Sequence, residues 1–340
     1  MQKIAMVLML FCLLFTAAHA DAVPFDKLVV FGDSLSDVGF TSQTSGGAAP
    51  CHHFYFEGRF SNGPIWIDHL ATALHFDTSA EDQFVDFAFG GAWAGDNISY
   101  DPKAVYKLSY EIEDYVNEKS AHGEKEGKHL FIIWSGSNDY LSGDPSIPLN
   151  EATKDAIDTI KRNMGTLIED GARNFLILNL TDLGNTPKSR ANGQAYVERV
   201  SALSKLHNEN LALMLQSLRE SHPEIKLVEI DVMPYFNDLM TNPQKYHLTN
   251  VNDFCYDGEY ICFEKPGNSE QASAKKQYDK YPMTTIAPTH GEQRSDWQKW
   301  NACSNPDDYV YWDKLHPTAA VHRLLAGFVA EKVKAKWNIT

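Results

Sequence analysis

The chain has 340 residues, with 45 Asp plus Glu against 30 Lys plus Arg and a formal net charge of -15. At 43% hydrophobic and 22% charged residues it has the composition of a globular protein, which excludes disorder of the whole chain. Such acidity also argues against a non-specific nucleic-acid binder, which displaces phosphate counterions with Lys and Arg, and against electrostatic adhesion to anionic lipid; hydrophobic contact with lipid stays open. The length suits one large or two modest domains.

Residues 1–20 read MQKIAMVLMLFCLLFTAAHA. Lys3 gives a positive start, Ile4 to Ala18 an almost unbroken apolar run, and Ala18-His19-Ala20 an A-x-A cleavage pattern. The run is shorter than the ~20 residues that span a bilayer, so the segment is expected to be a removed signal peptide and not a transmembrane anchor. The mature chain is then expected to begin at Asp21 and to be secreted to the extracellular space, with the periplasm as the alternative.

Along the rest of the chain, short β-branched runs alternate with longer helical patterns, the signature of βαβ units and a parallel sheet. Leu28-Val29-Val30-Phe31 predicts a strand covered on both faces, ending at Gly32-Asp33-Ser34. A helical pattern over 65–74 leads to a second strand, 84–89, which ends at Gly90-Gly91. Helix 103–119 precedes strand 129–134 and its end at Ser135-Gly136; helix 151–170 precedes strand 174–180 and its end at Asp182-Leu183-Gly184. A long helix over 191–220 places Val200, Leu203, Leu206, Leu211, Met214 and Leu218 on one stripe, and strand 226–232 follows. Residues 243–308 have no clear period and are read as one long insertion in a single domain that covers 21–340. The last helix, 318–335, starts after Pro317.

In open parallel sheets ligands bind beyond the carboxyl ends of the strands. Those positions hold Ser34, Gly91 and Asn138, with Asp313 and His316 far downstream. A nucleophilic serine requires a base, an orienting carboxylate and donors for an oxyanion, and these residue types supply all three. The bland readings are a turn serine at Ser34, a tight-turn glycine at Gly91 and a helix cap at Asn138. Asp33 and Asp37 are expected to bind the backbone of the serine loop. There is no G-x-S-x-G elbow, no phosphate-binding loop and no zinc helix, and the cysteines lack paired C-x2-C spacing. No metal is expected.

At these residues the chain resembles a known family. Phe31-Gly32-Asp33-Ser34-Leu35-Ser36-Asp37, Phe87-Ala88-Phe89-Gly90-Gly91-Ala92, Gly136-Ser137-Asn138-Asp139 and Asp313-Lys314-Leu315-His316-Pro317 are similar, in order, to the motifs of the GDSL or SGNH hydrolases. The resemblance implies a three-layer α/β/α flavodoxin-like fold with a central, mostly parallel sheet. It also implies serine esterase chemistry without a cofactor: Ser34 as nucleophile, His316 as general base and acid, and Asp313 orienting His316. The oxyanion hole would comprise the backbone N–H groups of Ser34 and Gly91 and the side chain of Asn138. A nearer resemblance, to secreted bacterial phospholipases A, lysophospholipases A and glycerophospholipid:cholesterol acyltransferases, rests on residues 56–64, on 134–140, on Asn179 to Gly184 and on Cys255-Tyr256-Asp257-Gly258. It implies a phospholipid or lysophospholipid substrate and cholesterol as a further acceptor. The alternative on the same site is a secreted esterase for short-chain or carbohydrate-bound acyl groups. Asp86 stands where such relatives often have Asn.

Past residue 20 the cysteines are Cys51, Cys255, Cys262 and Cys303, an even number compatible with disulfides in an exported chain. Cys255 opens the segment similar to the phospholipase group, and Cys303 lies ten residues before Asp313. The expected bridge is Cys255–Cys303, leaving Cys51–Cys262; the rival joins Cys262 to Cys303 and Cys51 to Cys255. By resemblance to the acyltransferases, the loop between Cys255 and Cys303 is expected to be opened by an activating protease near Lys265 to Lys280. Its Tyr278, Tyr281, Trp297 and Trp300 fit an acyl groove or a small satellite core equally well.

Overall fold

A computed structural model describes residues 23–97, 106–122, 128–260 and 299–339. The expected signal segment, Cys262, the expected protease site, and Tyr278, Tyr281 and Trp297 lie outside the described residues. Five strands form the central sheet: β1 (Lys27–Gly32), β2 (Phe84–Asp86), β3 (His129–Trp134), β4 (Asn174–Leu178) and β5 (Lys226–Ile230). Their order is β2-β1-β3-β4-β5 and every pairing is parallel. That is the flavodoxin-like order, whose direction reverses between β1 and β3. The β1–β3 register runs from Lys27 opposite His129 to Gly32 opposite Trp134.

Every residue of β1 and β3 is buried, because helices cover both faces. The crossovers place α2 (Trp66–Ala73) on one face, where it packs on the last helix, and α3 (Leu108–His122), α5 (Leu149–Glu169) and α7 (Gln194–Ser221) on the other. Short helices α1 (Phe40–Thr44), α4 (Ser137–Leu141) and α6 (Pro187–Ala191) follow β1, β3 and β4. After β5 come α8 (Val232–Thr241) and α9 (Ala319–Trp337), the latter capped by the Thr318 side chain, which accepts from Val321 N–H.

Three differences from the sequence reading have physical causes. The strand expected over 226–232 ends at Ile230, because Asp231 is the N-cap residue of α8. On α7 the buried stripe runs through His207, not Leu206, since 207 lies four residues from both Leu203 and Leu211 and falls on their face. The segment 243–308 is not wholly irregular: β6 (Asn250–Phe254) pairs in parallel with β7 (Tyr309–Tyr311). Cys255 and Cys303 form a disulfide beside that pair, so the rival Cys262–Cys303 pairing does not form. Cys51 is also disulfide-bonded. Trp300 belongs to a satellite core with Phe54, Tyr55, Tyr256 and Trp312.

The β1–β3 register brings Gly32 so close to its neighbour that a Cβ there would lie 2.4 Å from the Trp134 carbonyl oxygen, at a backbone φ of +153°. Only glycine fits without moving backbone. Gly32→Ala is expected to lower the free energy of unfolding by about 1–3 kcal/mol, measured by urea denaturation. An unchanged midpoint would mean that the strand ends separate freely.

Candidate active site

The loop after β1 is built by its own carboxylates. Asp33 Oδ1 accepts the Leu35 N–H at 3.0 Å. Asp37 Oδ1 takes the N–H groups of Gly39 and Phe40 at 2.8 and 2.7 Å, and its Oδ2 reaches across to Gly90 N–H, 3.0 Å away in the loop after β2. From the other side, Asp86 Oδ2 accepts Val38 N–H at 2.7 Å while its Oδ1 accepts Ala88 N–H at 2.9 Å. The carboxylate at position 86 therefore serves as an acceptor between the β1 and β2 loops.

The β3 loop joins the same assembly. Asp139 accepts from Ala94 N–H at 2.8 Å and from Gly95 N–H at 2.7 Å. Asn138 Nδ2 donates to the Ala92 carbonyl at 2.9 Å. Helix α4 has no side-chain cap, so Asn138 does not act as one. Gly91 has φ +86°, a left-handed conformation that favours glycine, and it lines a recess together with Ser34 and Asn138.

Opposite Ser34 lies the turn between β7 and α9. Trp312 N–H donates to the His316 carbonyl at 2.8 Å and closes it. Residues 56–64 brace it: Ser61 Oγ donates to the Pro317 carbonyl at 2.9 Å, and Ala319 N–H donates to Asn62 Oδ1 at 2.8 Å. The Ser34 hydroxyl lies 2.9 Å from His316 Nε2, and His316 Nδ1 lies 2.7 Å from Asp313 Oδ2. Because a carboxylate only accepts, the imidazole proton sits on Nδ1, leaving Nε2 free to accept from serine. Asp313 Oδ1 takes the backbone N–H groups of Leu315 and His316 at 2.7 and 2.8 Å. Burial raises the Asp313 carboxyl, but the electrostatic interaction with His316 and the hydrogen bonds from His316 and Tyr55 outweigh it and hold the group below its usual value.

Ser34, Asn138, Leu315 and His316 line two recesses. One lies over the β3, β4 and β5 loops and carries Leu141, Leu183, Phe236 and Met240; it encloses about 670 Å³ of space open to solvent. The other lies on the β2 side, among Phe60, Gly90, Gly91 and Tyr260. The structure thus brings all five sequence-derived site residues, Ser34, Gly91, Asn138, Asp313 and His316, to one place.

Sequence reasoning missed Tyr55, Asp139 and Glu111. Tyr55 adjoins the 56–64 segment, and Asp139 directly follows Asn138, but a single sequence gives no signal for either bond. Glu111, in the first turn of α3, is fully buried; its Oε2 accepts Gly32 N–H at 2.8 Å and its Oε1 has no partner among the described residues. Burial, aided by Asp86, Asp33 and Asp37, pushes its carboxyl well above the usual range. Burial also pushes Asp33 up to about 6 and Asp139 up to about 7.

A carboxyl raised in the folded state takes up a proton on folding. Its stabilisation is complete below its unfolded value of about 4 and is lost as pH rises through the folded value. Urea-unfolding free energy is therefore expected to fall between about pH 4 and pH 7, the window set by Asp33 and Asp139. Glu111→Gln keeps an acceptor for Gly32 but cannot ionise, so it should be more stable than wild type in mildly alkaline buffer and gain little at pH 4. Equal effects at both pH values would show that Glu111 does not titrate on unfolding.

The chain is 32% identical over 337 residues to a phosphatidylcholine-sterol acyltransferase of Aeromonas hydrophila, covering 95% of each chain. It is 27% identical over 314 residues to a thermolabile hemolysin of Vibrio parahaemolyticus, covering 92% of this chain and 64% of that one. A GDSL esterase/lipase of Arabidopsis thaliana is 25% identical over 341 residues, with 87% and 84% covered. Residues 28–329, from β1 into α9, match the GDSL-like lipase/acylhydrolase family, and the chain belongs to that family of hydrolases.

Proposed function

We propose that the chain is an exported serine acyl hydrolase of phospholipids and lysophospholipids, able to pass the acyl group to water or to a sterol hydroxyl. The observation that carries this reading is the Ser34–His316–Asp313 hydrogen-bond chain set at the junction of two recesses. Ser34 Oγ attacks the ester carbonyl carbon as its proton passes to His316 Nε2. Asp313 holds the imidazole and stabilises the imidazolium without taking the proton. The backbone N–H groups of Ser34 and Gly91 and the Asn138 amide receive the oxyanion; loss of one such donor typically costs about 3 kcal/mol. His316 then gives its proton to the leaving alcohol oxygen as the C–O bond breaks, which leaves an acyl-Ser34 ester. Water or a sterol hydroxyl repeats the sequence in reverse and frees the serine.

The substrate class rests on the recesses and on kinship. With the carbonyl oxygen in the donor cluster, the two arms of an ester leave Ser34 in different directions. The recess of Leu141, Leu183, Phe236 and Met240 suits an acyl chain, because apolar side chains line it on several sides while Ser34 stands at its edge. The recess beside Gly91 and Tyr260 then receives the glycerol side or the acceptor. The reaction for which the Aeromonas relative is named, phosphatidylcholine-sterol acyl transfer, agrees with that division.

Purified enzyme should cleave lysophosphatidylcholine, and in vesicles with cholesterol it should yield sterol ester. Ser34→Ala should reduce both rates by roughly a thousandfold or more while the protein stays folded. Activity confined to acetyl and butyryl esters would replace the lipid reading with a short-chain esterase. Met240→Trp, which fills the acyl recess, is expected to shorten the preferred p-nitrophenyl ester by about two carbons and lower the rate on long chains roughly tenfold, since each lost methylene contact is worth about 0.8 kcal/mol. An unaltered chain-length profile would put the acyl arm on the other side.

A further inference from the structure

Asp313 Oδ2 accepts two hydrogen bonds: one from His316 Nδ1 at 2.7 Å, the other from the Tyr55 hydroxyl at 2.6 Å. With Oδ1 held by two backbone N–H groups, the carboxylate meets four donors from the protein. Tyr55 is only 3% exposed. Its ring is met edge-on by Tyr256 at 5.5 Å and by Trp312 at 6.4 Å, while Tyr256 stacks on Trp312 at 5.4 Å. Phe60, 6.2 Å from the Tyr55 ring, lies 5.1 Å from the His316 ring. The backbone of Tyr55 is tied to Cys51, and Cys255 N–H donates to the Tyr311 carbonyl beside the Cys255–Cys303 bridge. Segments distant in the chain therefore agree on where one phenol oxygen sits. Burial and the Asp313 charge push that phenol well above its ordinary value, which keeps it a donor.

We infer that Tyr55 is a positioning residue for acyl transfer: by sharing Asp313 Oδ2 with His316, its hydroxyl fixes the rotation of the carboxylate and tempers its basicity toward the imidazole. This rests on the roles proposed for Ser34, His316 and Asp313. A carboxylate deprived of the phenol donor concentrates charge on the oxygen facing His316 and is freer to turn. The first effect favours the protonated imidazole in the resting enzyme, which cannot accept the serine proton; the second lowers turnover. Among the described residues, the other titratable or charged groups that act on the pair are Asp33 from the β1 loop, Lys188 from α6, Tyr256 and Tyr260 after β6, and His322 from α9. None of these is altered by the test.

Tyr55→Phe keeps the ring and removes only the oxygen. On p-nitrophenyl butyrate, kcat is expected to fall about tenfold with KM little changed, as for loss of one hydrogen bond to a charged group. The acid limb of the pH profile of kcat/KM should move up by about half a pH unit. In an Asp313→Ala background the same change should have no further effect, since the hydroxyl acts only through that carboxylate. An unmoved limb with wild-type kcat, or an equal loss in both backgrounds, overturns the inference and leaves Tyr55 a packing residue. If Tyr55→Phe does not fold, incorporation of 3-fluorotyrosine at position 55 gives the opposite test. A stronger donor of the same shape should move the limb to lower pH, and a stationary limb overturns the inference. Ser34→Ala serves as control: residual activity there sinks the underlying triad, whereas a dead Ser34→Ala with an unaffected Tyr55→Phe sinks only the role of Tyr55.

Discussion

Carboxylates that accept backbone N–H groups hold this site together. Three strand-end loops must meet around Ser34, and each turn leaves amide groups that no strand or helix satisfies. Asp37, Asp86 and Asp139 accept them, in every case from a neighbouring loop as well as or instead of their own. An unpaired buried amide is expensive, so these bonds define loop position as firmly as strand pairing defines the sheet. The same economy explains the acidity beneath the serine: the carboxyls of Asp33, Asp37, Asp86 and Glu111 are all raised by burial. Neutral or charged, each is held by the donors it serves.

What was legible in the sequence was local. The runs of β1, β3, β4 and β5 could be read because strands covered on both faces are continuously apolar. The strand-end motifs could be read because the chemistry sits in a few adjacent residues. Features set by distant contacts were not legible. Nothing in Val232 announces a helix instead of a strand; Asp231 and the following turn decide. His207 looks like a polar interruption of an apolar stripe, yet it is buried against Gly136, where a Cβ would come within 2.7 Å of its ring. The β6–β7 pair escapes pattern reading because β6 is short, polar and half exposed, with a register shift. Tyr55 reads as one aromatic among many until Asp313 stands beside it.

The two halves of the site are stabilised differently. Ser34, Gly91 and Asn138 stand on the rim of a buried five-stranded sheet, and the rigidity of that sheet is theirs. Asp313 and His316 stand on a turn whose strand, β7, pairs with β6 outside that sheet. Their support comes from the 56–64 segment, from the satellite aromatic core and from the nearby disulfide. Catalytic geometry of this kind tolerates displacement on the order of 0.5 Å. The braces on the second half therefore carry as much of the chemistry as the sheet beneath the first.

The hydroxyl and the imidazole that meet at 2.9 Å are separated by 282 positions in the chain. No part of the polypeptide short of its final helix holds both. During synthesis, the serine loop and its donor cluster emerge long before His316, the base proposed to activate the serine, and contacts of such long range form late in folding. A nascent chain that ends before His316 thus lacks the proposed catalytic pair. On the proposed mechanism, ester cleavage begins only when the last turn docks, so chain closure itself acts as the enzyme's time lock.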